Sequence, residues 1–257
     1  TGVRYQKGFG TVGSKKYYFD PSDGKAKTGW LTLDGKKYYF NDAGVMLADT
    51  IAAIDGTTYR FDSNGVATKT SSDNYTIDGN YVKVYDAKNG KYYYMEKQFI
   101  QHPGIADGTV SDLDLLAAVC DAEAGDQGVI GMEAVALCVL NCTIDEYKEF
   151  PSQIRYVVYQ GKPTQYAVVT DGALLKRLNG QFEDRTNAYA AAKAAMEMFN
   201  DYVNRGTKRS LPGFTTKDFN YKFFMTPAAF KAQNLNFSKL EYEQYKGHVF
   251  FVDWISG

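Results

Sequence analysis

Two histidines, three cysteines and two tryptophans in 257 residues leave little material for several common chemistries. His102 and His248 stand far apart without H-x-x-x-H spacing, so no metal site is expected and each reads as a surface or packing residue. Three cysteines cannot make a disulfide framework, and Cys138 and Cys142 lie one helical turn apart, a poor geometry for a bridge. All three are expected to be small buried hydrophobes. A cysteine peptidase built on Cys120 is disfavoured, because its neighbours are apolar and a reactive thiolate needs an electropositive setting. No apolar run approaches the ~20 residues of a membrane-spanning helix, so no membrane insertion is expected. The formal charge of -1 gives no basic footprint for nucleic acid. No signal-peptide pattern stands at the start, and Thr1 opens inside a repeat, so the chain reads as a mature or trimmed fragment. No cofactor motif is found.

Tyrosine is what the chain has in excess, 21 of them. KKYYFDPSDG (15–24), KKYYFNDAG (36–44) and TTYRFDSNG (57–65) place an aromatic triplet at 17–19, 38–40 and 59–61, a period of 21. A repeat of that length signals a stacked array. Each unit reads as a short strand, a tight turn and a second strand, with Asp34-Gly35, Asp55-Gly56 and Asn64-Gly65 supplying positive-φ turn residues. One hairpin cannot bury its own aromatic face; successive hairpins stacked through Tyr18, Tyr39, Arg60 and the Phe19, Phe40, Phe61 ladder can. A further hairpin is expected at 80–97, turning at Asn89-Gly90, in a departing register.

These units resemble the aromatic cell-wall-binding repeats of the choline-binding and glucan-binding type. The resemblance rests on Gly29-Trp30, the G-K-K-Y-Y-F run at 35–40 and Gly24, Gly44 and Gly65 downstream, over about residues 8–70. It implies attachment to a wall polymer, with Trp30, Tyr39 and Tyr59 as ligand-contacting residues and cation–π caging of choline in the family at large. The cage departs from the family here: the Gly-Trp aromatic recurs as Phe9 but becomes Ile51, and Lys16, Lys37 and Thr58 replace a tryptophan. Choline is therefore a doubtful ligand. The alternative is that the tyrosines are only the stacking core of a spacer.

FIQHPGIADGTVS (99–111) carries a proline and two glycines and reads as a linker. The domains are accordingly set at 1–98, 99–110 and 111–257. Beyond the linker the grammar is helical. Ser111 with Asp114 caps a first helix; Val129, Met132, Val135, Ala136, Val139 and Leu140 mark a second; Ala188, Ala192, Ala195, Phe199 and Tyr202 stripe a third over 187–204. Thr226-Pro227 opens a short fourth, and HVFFVDW (248–254) reads as one buried strand.

In the first helix Leu113, Leu116 and Cys120 step by three and four, and the next position on that apolar stripe is Glu123. A buried carboxylate costs several kcal/mol to ionise unless it is paired. Three accounts stand open. Glu123 reaches water at the helix end, where Gly125 permits it; it pairs with Arg155, Arg177 or Arg185; or it lines a cleft, protonated near neutrality as a general acid requires. Glu133 is the rival carboxylate, expected at the solvent edge of the second helix.

AEAGDQGVIGMEAVALCVLN (122–141) resembles the signature of the spore-cortex-lytic cell wall hydrolases (SleB type) in Ala122-Glu123-Ala124, Gly131 and Val139-Leu140-Asn141. The similarity continues in order through 150–161, 164–172, 223–230 and GHVFF at 247–251. The resemblance implies a lysozyme-like α+β fold acting on the glycan strands of peptidoglycan. Glu123 is then the single acid of a lytic transglycosylase, and the enzyme is secreted and wall-associated. Gln165, Tyr166 and Asn141 are the expected sugar contacts, although Asn141 reads equally as a structural cap. A hydrolytic muramidase would need a second carboxylate, for which Asp171 and Glu183 are candidates. Met132, Glu133 and Tyr166 depart from the family's pattern and keep open a wall-binding protein without activity.

Overall fold

The computed structural model describes residues 7–48, 50–54, 57–69 and 75–255. The expected Asp55-Gly56 turn and the side chains of Ile51 and Thr58 lie outside the described residues. Contacts divide the chain into two units, 1–73 and 74–257.

In the first unit, β1 (Gly8–Val12) pairs antiparallel with β2 (Lys15–Phe19), and β3 (Gly29–Leu33) with β4 (Lys36–Phe40). Then β5 (Thr50–Ile54), β6 (Thr57–Phe61) and β7 (Ala67–Lys69) form a three-stranded sheet. These small sheets share no strand pairing; a backbone hydrogen bond from Met46 N to Lys16 O at 2.8 Å and side-chain packing join successive hairpins. Phe9 packs edge-on against Tyr18 of its own hairpin at 5.2 Å and Tyr38 of the next at 5.1 Å. Trp30 does the same one repeat later, with Tyr39 at 5.1 Å and Tyr59 at 4.6 Å. Phe40 and Phe61 are fully buried, each against an aromatic of the preceding hairpin, Tyr18 and Trp30. Ring contacts thus recur at the sequence period, as stacking of insufficient single hairpins requires.

The second unit begins with β8 (Tyr75–Asp78), β9 (Tyr81–Asp86) and β10 (Lys91–Glu96), in order β10-β9-β8. The turn at Asn89-Gly90 forms as expected, with Gly90 at φ 71°. This sheet was expected to close the repeat domain at residue 98, but it packs with the helical unit. Asp86 accepts from Ser152 N and Oγ at 2.6 and 2.8 Å, Tyr93 Oη donates to Phe150 O at 2.9 Å, and Met95 bridges Gln160. Nor is 99–110 a free linker: α1 (Gln98–Gln101) buries Phe99 and Ile100, and Ile105 is buried beyond it.

The helical core follows: α2 (Asp112–Ala124), a 3-10 turn over Gly125–Gln127, α3 (Gly128–Cys142), α4 (Ile154–Tyr159), a 3-10 turn over Ala167–Val169, α5 (Ala173–Leu178) and α6 (Arg185–Arg205). Ser111 caps α2, its Oγ accepting from Asp114 N at 3.1 Å, and Asp184 caps α6 through Asn187 N. Ala188, Ala192, Ala195 and Phe199 are buried along α6 as their spacing predicts. Small side chains let α6 lie close against α2 and α3. Beyond it come β11 (Phe223–Met225), α7 (Pro227–Lys231) capped by Thr226, β12 (Tyr242–Tyr245) and β13 (His248–Phe251). The expected buried strand at 248 is real but shorter, and central in a sheet ordered β11-β13-β12. The molecule therefore has two regions, β hairpins first and a mainly helical unit with its own sheets after.

Candidate active site

Glu123 stands in the last turn of α2, half-buried. Loss of water pushes its carboxyl up to about 7, and the negative charge of Asp171 adds to the rise. A hydrogen bond from the Val168 backbone N–H opposes both. An acid so placed holds its proton near neutrality and can surrender it, the requirement of a general acid. Asp171 itself is exposed, with Oδ1 accepting from Ala173 N at 2.8 Å at the start of α5.

The arginines weighed as partners are occupied elsewhere. Arg177 Nε donates to Asp121 at 2.8 Å and its Nη2 to Glu183 at 2.5 Å. Arg155 donates to Gln153 and lies over the Tyr156 ring, while Arg185 lies over Phe182 and Tyr189. Among the described residues Glu123 has no ion pair. Asp121 is the more deeply buried acid, at 1% exposure, and it accepts also from Glu183 N and Asp184 N at 2.9 and 2.8 Å. The stripe reading of α2 was too narrow: every residue from 115 to 121 is buried, because neighbouring elements surround the helix.

Gln165 and Tyr166 fall together on one cavity of about 430 Å³, shared with Lys222, Phe223, Phe224 and Trp254. Tyr166 is buried, its ring 5.9 Å from that of Phe224. Burial raises its hydroxyl far above the usual tyrosine range, and the nearby Glu123 charge contributes. Glu123 does not line this cavity; the chain from Tyr166 to Val168 links the two. Lys222 is held in an ion pair with Asp145.

Two expectations change. Asn141 is a structural bridge: its Nδ2 donates to Phe219 O and Tyr221 O at 3.1 and 2.8 Å, and its Oδ1 accepts from Arg209 at 2.5 Å. Its Nδ2 is taken up by backbone carbonyls and its Oδ1 by a guanidinium. Glu133 does not see solvent; it is 7% exposed, and desolvation raises its carboxyl. The reason is that α3 is enclosed by α2, α4, α6 and β11, so no face of it is a solvent edge. Both histidines are packing residues, one of the two readings open to them from sequence. His102 bonds Tyr159 Oη at 2.7 Å and burial pushes it down to about 4, while the buried Nδ1 of His248 has no hydrogen-bond partner among the described residues. All three cysteines are free and buried.

In the first unit Trp30, Tyr39 and Tyr59 come together in one aromatic cluster. A separate cavity of about 340 Å³ is lined by Phe9, Lys16, Tyr38, Met46 and Asn64, with Lys16 Nζ donating to Ser63 O at 3.3 Å. The sequence marked Phe9 and Lys16 as repeat positions without joining them, because the cavity forms only when hairpins stack. Among the described residues there is no cluster of three or more metal-ligating side chains, and no helix is long and apolar enough to cross a membrane.

Comparison with known proteins places names beside this geometry. Residues 126–251 match a family model described as cell wall hydrolase, 27–72 one described as choline-binding repeat, and 7–26 one described as putative cell wall binding repeat. Glu123 lies three residues before the first of these matches. No curated protein matches. Among solved structures, the choline binding domain of Spr1274 from Streptococcus pneumoniae is 25% identical, over 24% of this chain and 84% of that one, at TM-score 0.24. Choline binding protein F of the same organism is 23% identical over 36% of this chain and 32% of that one, at TM-score 0.23. A multimodular pneumococcal cell wall endolysin from phage Cp-1, complexed with choline, is 25% identical over 34% and 25%, at TM-score 0.23. The chain thus carries a cell wall hydrolase domain and, before it, choline-binding-type repeats.

Proposed function

We propose that this chain is a wall-lytic enzyme that cuts the glycan strands of peptidoglycan, of the SleB type with a lysozyme-like catalytic unit. It acts outside the cell, and its stacked, β-solenoid-like repeats hold it to wall polymer. The observation that carries the reading is the state of Glu123: a desolvated carboxyl with no cationic partner among the described residues, protonated near neutral pH. Glu123 donates its proton to the oxygen between MurNAc and GlcNAc as the C1–O bond breaks. The MurNAc 6-hydroxyl then attacks C1 and returns its proton to the Glu123 carboxylate. No water enters, and the product is a 1,6-anhydro end.

Gln165 and Tyr166 are the residues we place against sugar. Trp30, Tyr39 and Tyr59 serve the same purpose toward wall polymer in the repeats. Choline remains open as the ligand there, although the Lys16 ammonium beside Phe9 and Tyr38 works against a cation in that cavity.

One observation favours a second reading. The charge of Asp171 reaches Glu123, so Asp171 could direct a water in a hydrolytic muramidase. Glu183 is tied to Arg177 and is the weaker candidate. Mass spectrometry of the fragments released from purified wall decides between them. Anhydro ends, lighter by one water and inert to borohydride, with activity retained in Asp171→Asn, are the expected result. Reducing MurNAc ends together with loss of activity in Asp171→Asn would replace the transglycosylase by the muramidase.

A further inference from the structure

Trp254 lies three residues beyond the stretch that matches the hydrolase family, and nothing above assigns it a role. It is 45% exposed, unusual for so large an apolar surface, yet it is firmly seated. Its indole meets Phe223 at 5.6 Å and Phe251 at 5.2 Å, edge to face in both cases. Those two phenylalanines are cross-strand partners of β11 and β13, stacked on each other at 5.2 Å. The platform is therefore fixed by the sheet before any ligand arrives, which spares a binding partner the entropy of ordering it.

That platform forms part of the wall of the 430 Å³ cavity that also holds Gln165 and Tyr166. The lining is mixed: aromatic rings from Tyr166, Phe223, Phe224 and Trp254, and a side-chain amide from Gln165. Gln165 Nε2 donates to Pro163 O at 3.3 Å, which leaves its carbonyl oxygen as an acceptor. Pyranose rings present C–H faces that lie on aromatic surface and rim hydroxyls and acetamides that need hydrogen-bonding groups. Cavity size, lining and rigidity all fit that chemistry.

We infer that Trp254 and this cavity form a glycan subsite set apart from the acid, in which the Trp254 indole stacks on one pyranose of a β-linked amino-sugar chain. The inference rests on the glycan-cleaving reading for its place in a reaction, but the binding it describes is measurable without cleavage. Register along the strand would then be set at Trp254 while bond breaking occurs at Glu123.

The chain has only two tryptophans, so the full-length Trp30→Phe, Glu123→Gln variant reports on Trp254 alone by its intrinsic emission. Titration with chitotetraose, a soluble β-1,4-linked N-acetylglucosamine tetramer, is expected to shift or quench that emission saturably. In the otherwise unaltered enzyme, Trp254→Ala is expected to raise KM for soluble glycan strands about tenfold with little change in kcat, the pattern of lost binding surface. Trp254→Phe, which keeps the contacts to Phe223 and Phe251, should fall between and covers the case in which the alanine variant does not fold. Emission that responds, together with no release of glycan ends by the unaltered enzyme, would support the subsite and remove the catalytic reading. Cleavage by the unaltered enzyme with unresponsive emission, and an unchanged KM in Trp254→Phe and Trp254→Ala, would overturn the subsite and leave the catalytic reading standing. Unresponsive emission and no cleavage would overturn both.

Discussion

Arg177 Nε donates to Asp121 Oδ2 at 2.8 Å, two residues before Glu123 on the same helix. That pairing keeps the guanidinium away from Glu123. Asp121 spends its oxygens on Arg177 and on two backbone N–H groups that open the segment before α6, while Glu123 keeps a proton. Two acids on one turn are thus set to different work by what surrounds them.

Glu123→Gln should keep the fold and abolish release of glycan ends, since loss of the proton donor alone removes about 10²–10⁴ in rate. The stability of the wild type should also depend on pH through this carboxyl, a dependence the variant loses. The folded carboxyl is raised to about 7 from a reference of 4.5, so between those values the unfolded chain has lost a proton that the folded one retains. Wild-type stability therefore falls as pH rises through that window, by up to about 3 kcal/mol before discounting for partial exposure. Thermal melts should show the variant gaining on wild type from pH 5 to pH 8. Parallel curves would mean that Glu123 is an ordinary solvated carboxylate.

Asp121→Asn is expected to destabilise the second unit by about 3 kcal/mol, a fall of about 6–12 °C in melting temperature. It removes the charge facing a guanidinium whose side chain is only 10% exposed. Calorimetry on the variant tests this; a melting point matching wild type would show that Glu183 alone satisfies Arg177.

Glu133→Gln should stabilise the protein at neutral pH, because a desolvated carboxyl no longer has to ionise. The gain should vanish toward pH 4, where the folded and unfolded carboxyls are both protonated. Denaturant unfolding at pH 4 and pH 8 measures it. A loss of stability at pH 8 would mean that Glu133 is held as a carboxylate by a partner.

Trimming to residues 74–257 should leave a folded unit that still cleaves soluble glycan and sediments less with insoluble wall. Trimming to 99–257 should not leave a stable fold. It strips away Asp86, which accepts two hydrogen bonds from Ser152, and Tyr93, bonded to Phe150 O. Circular dichroism melts of the two forms separate these outcomes. Equal melting points would restore a boundary at residue 98.

Local signals were legible where the physics is local. The 21-residue aromatic period, the Ser111 and Thr226 caps and the alanine stripe of α6 each depend on residues a few positions apart, and each formed. Glu123 was singled out because a carboxylate on an apolar stripe is anomalous from spacing alone. What surrounds an element is not local, and there the sequence ran out. Whether α3 has a solvent edge, and so whether Glu133 is wet or dry, depends on α2, α4, α6 and β11 arriving around it. Whether 75–96 continues the repeats or joins the helices depends on Asp86 and Tyr93 finding Ser152 and Phe150 some sixty residues away. Spacing placed Glu123 on its helix; its proton is held by desolvation and by Asp171, 48 positions further along the chain, and only the tertiary fold brings those together.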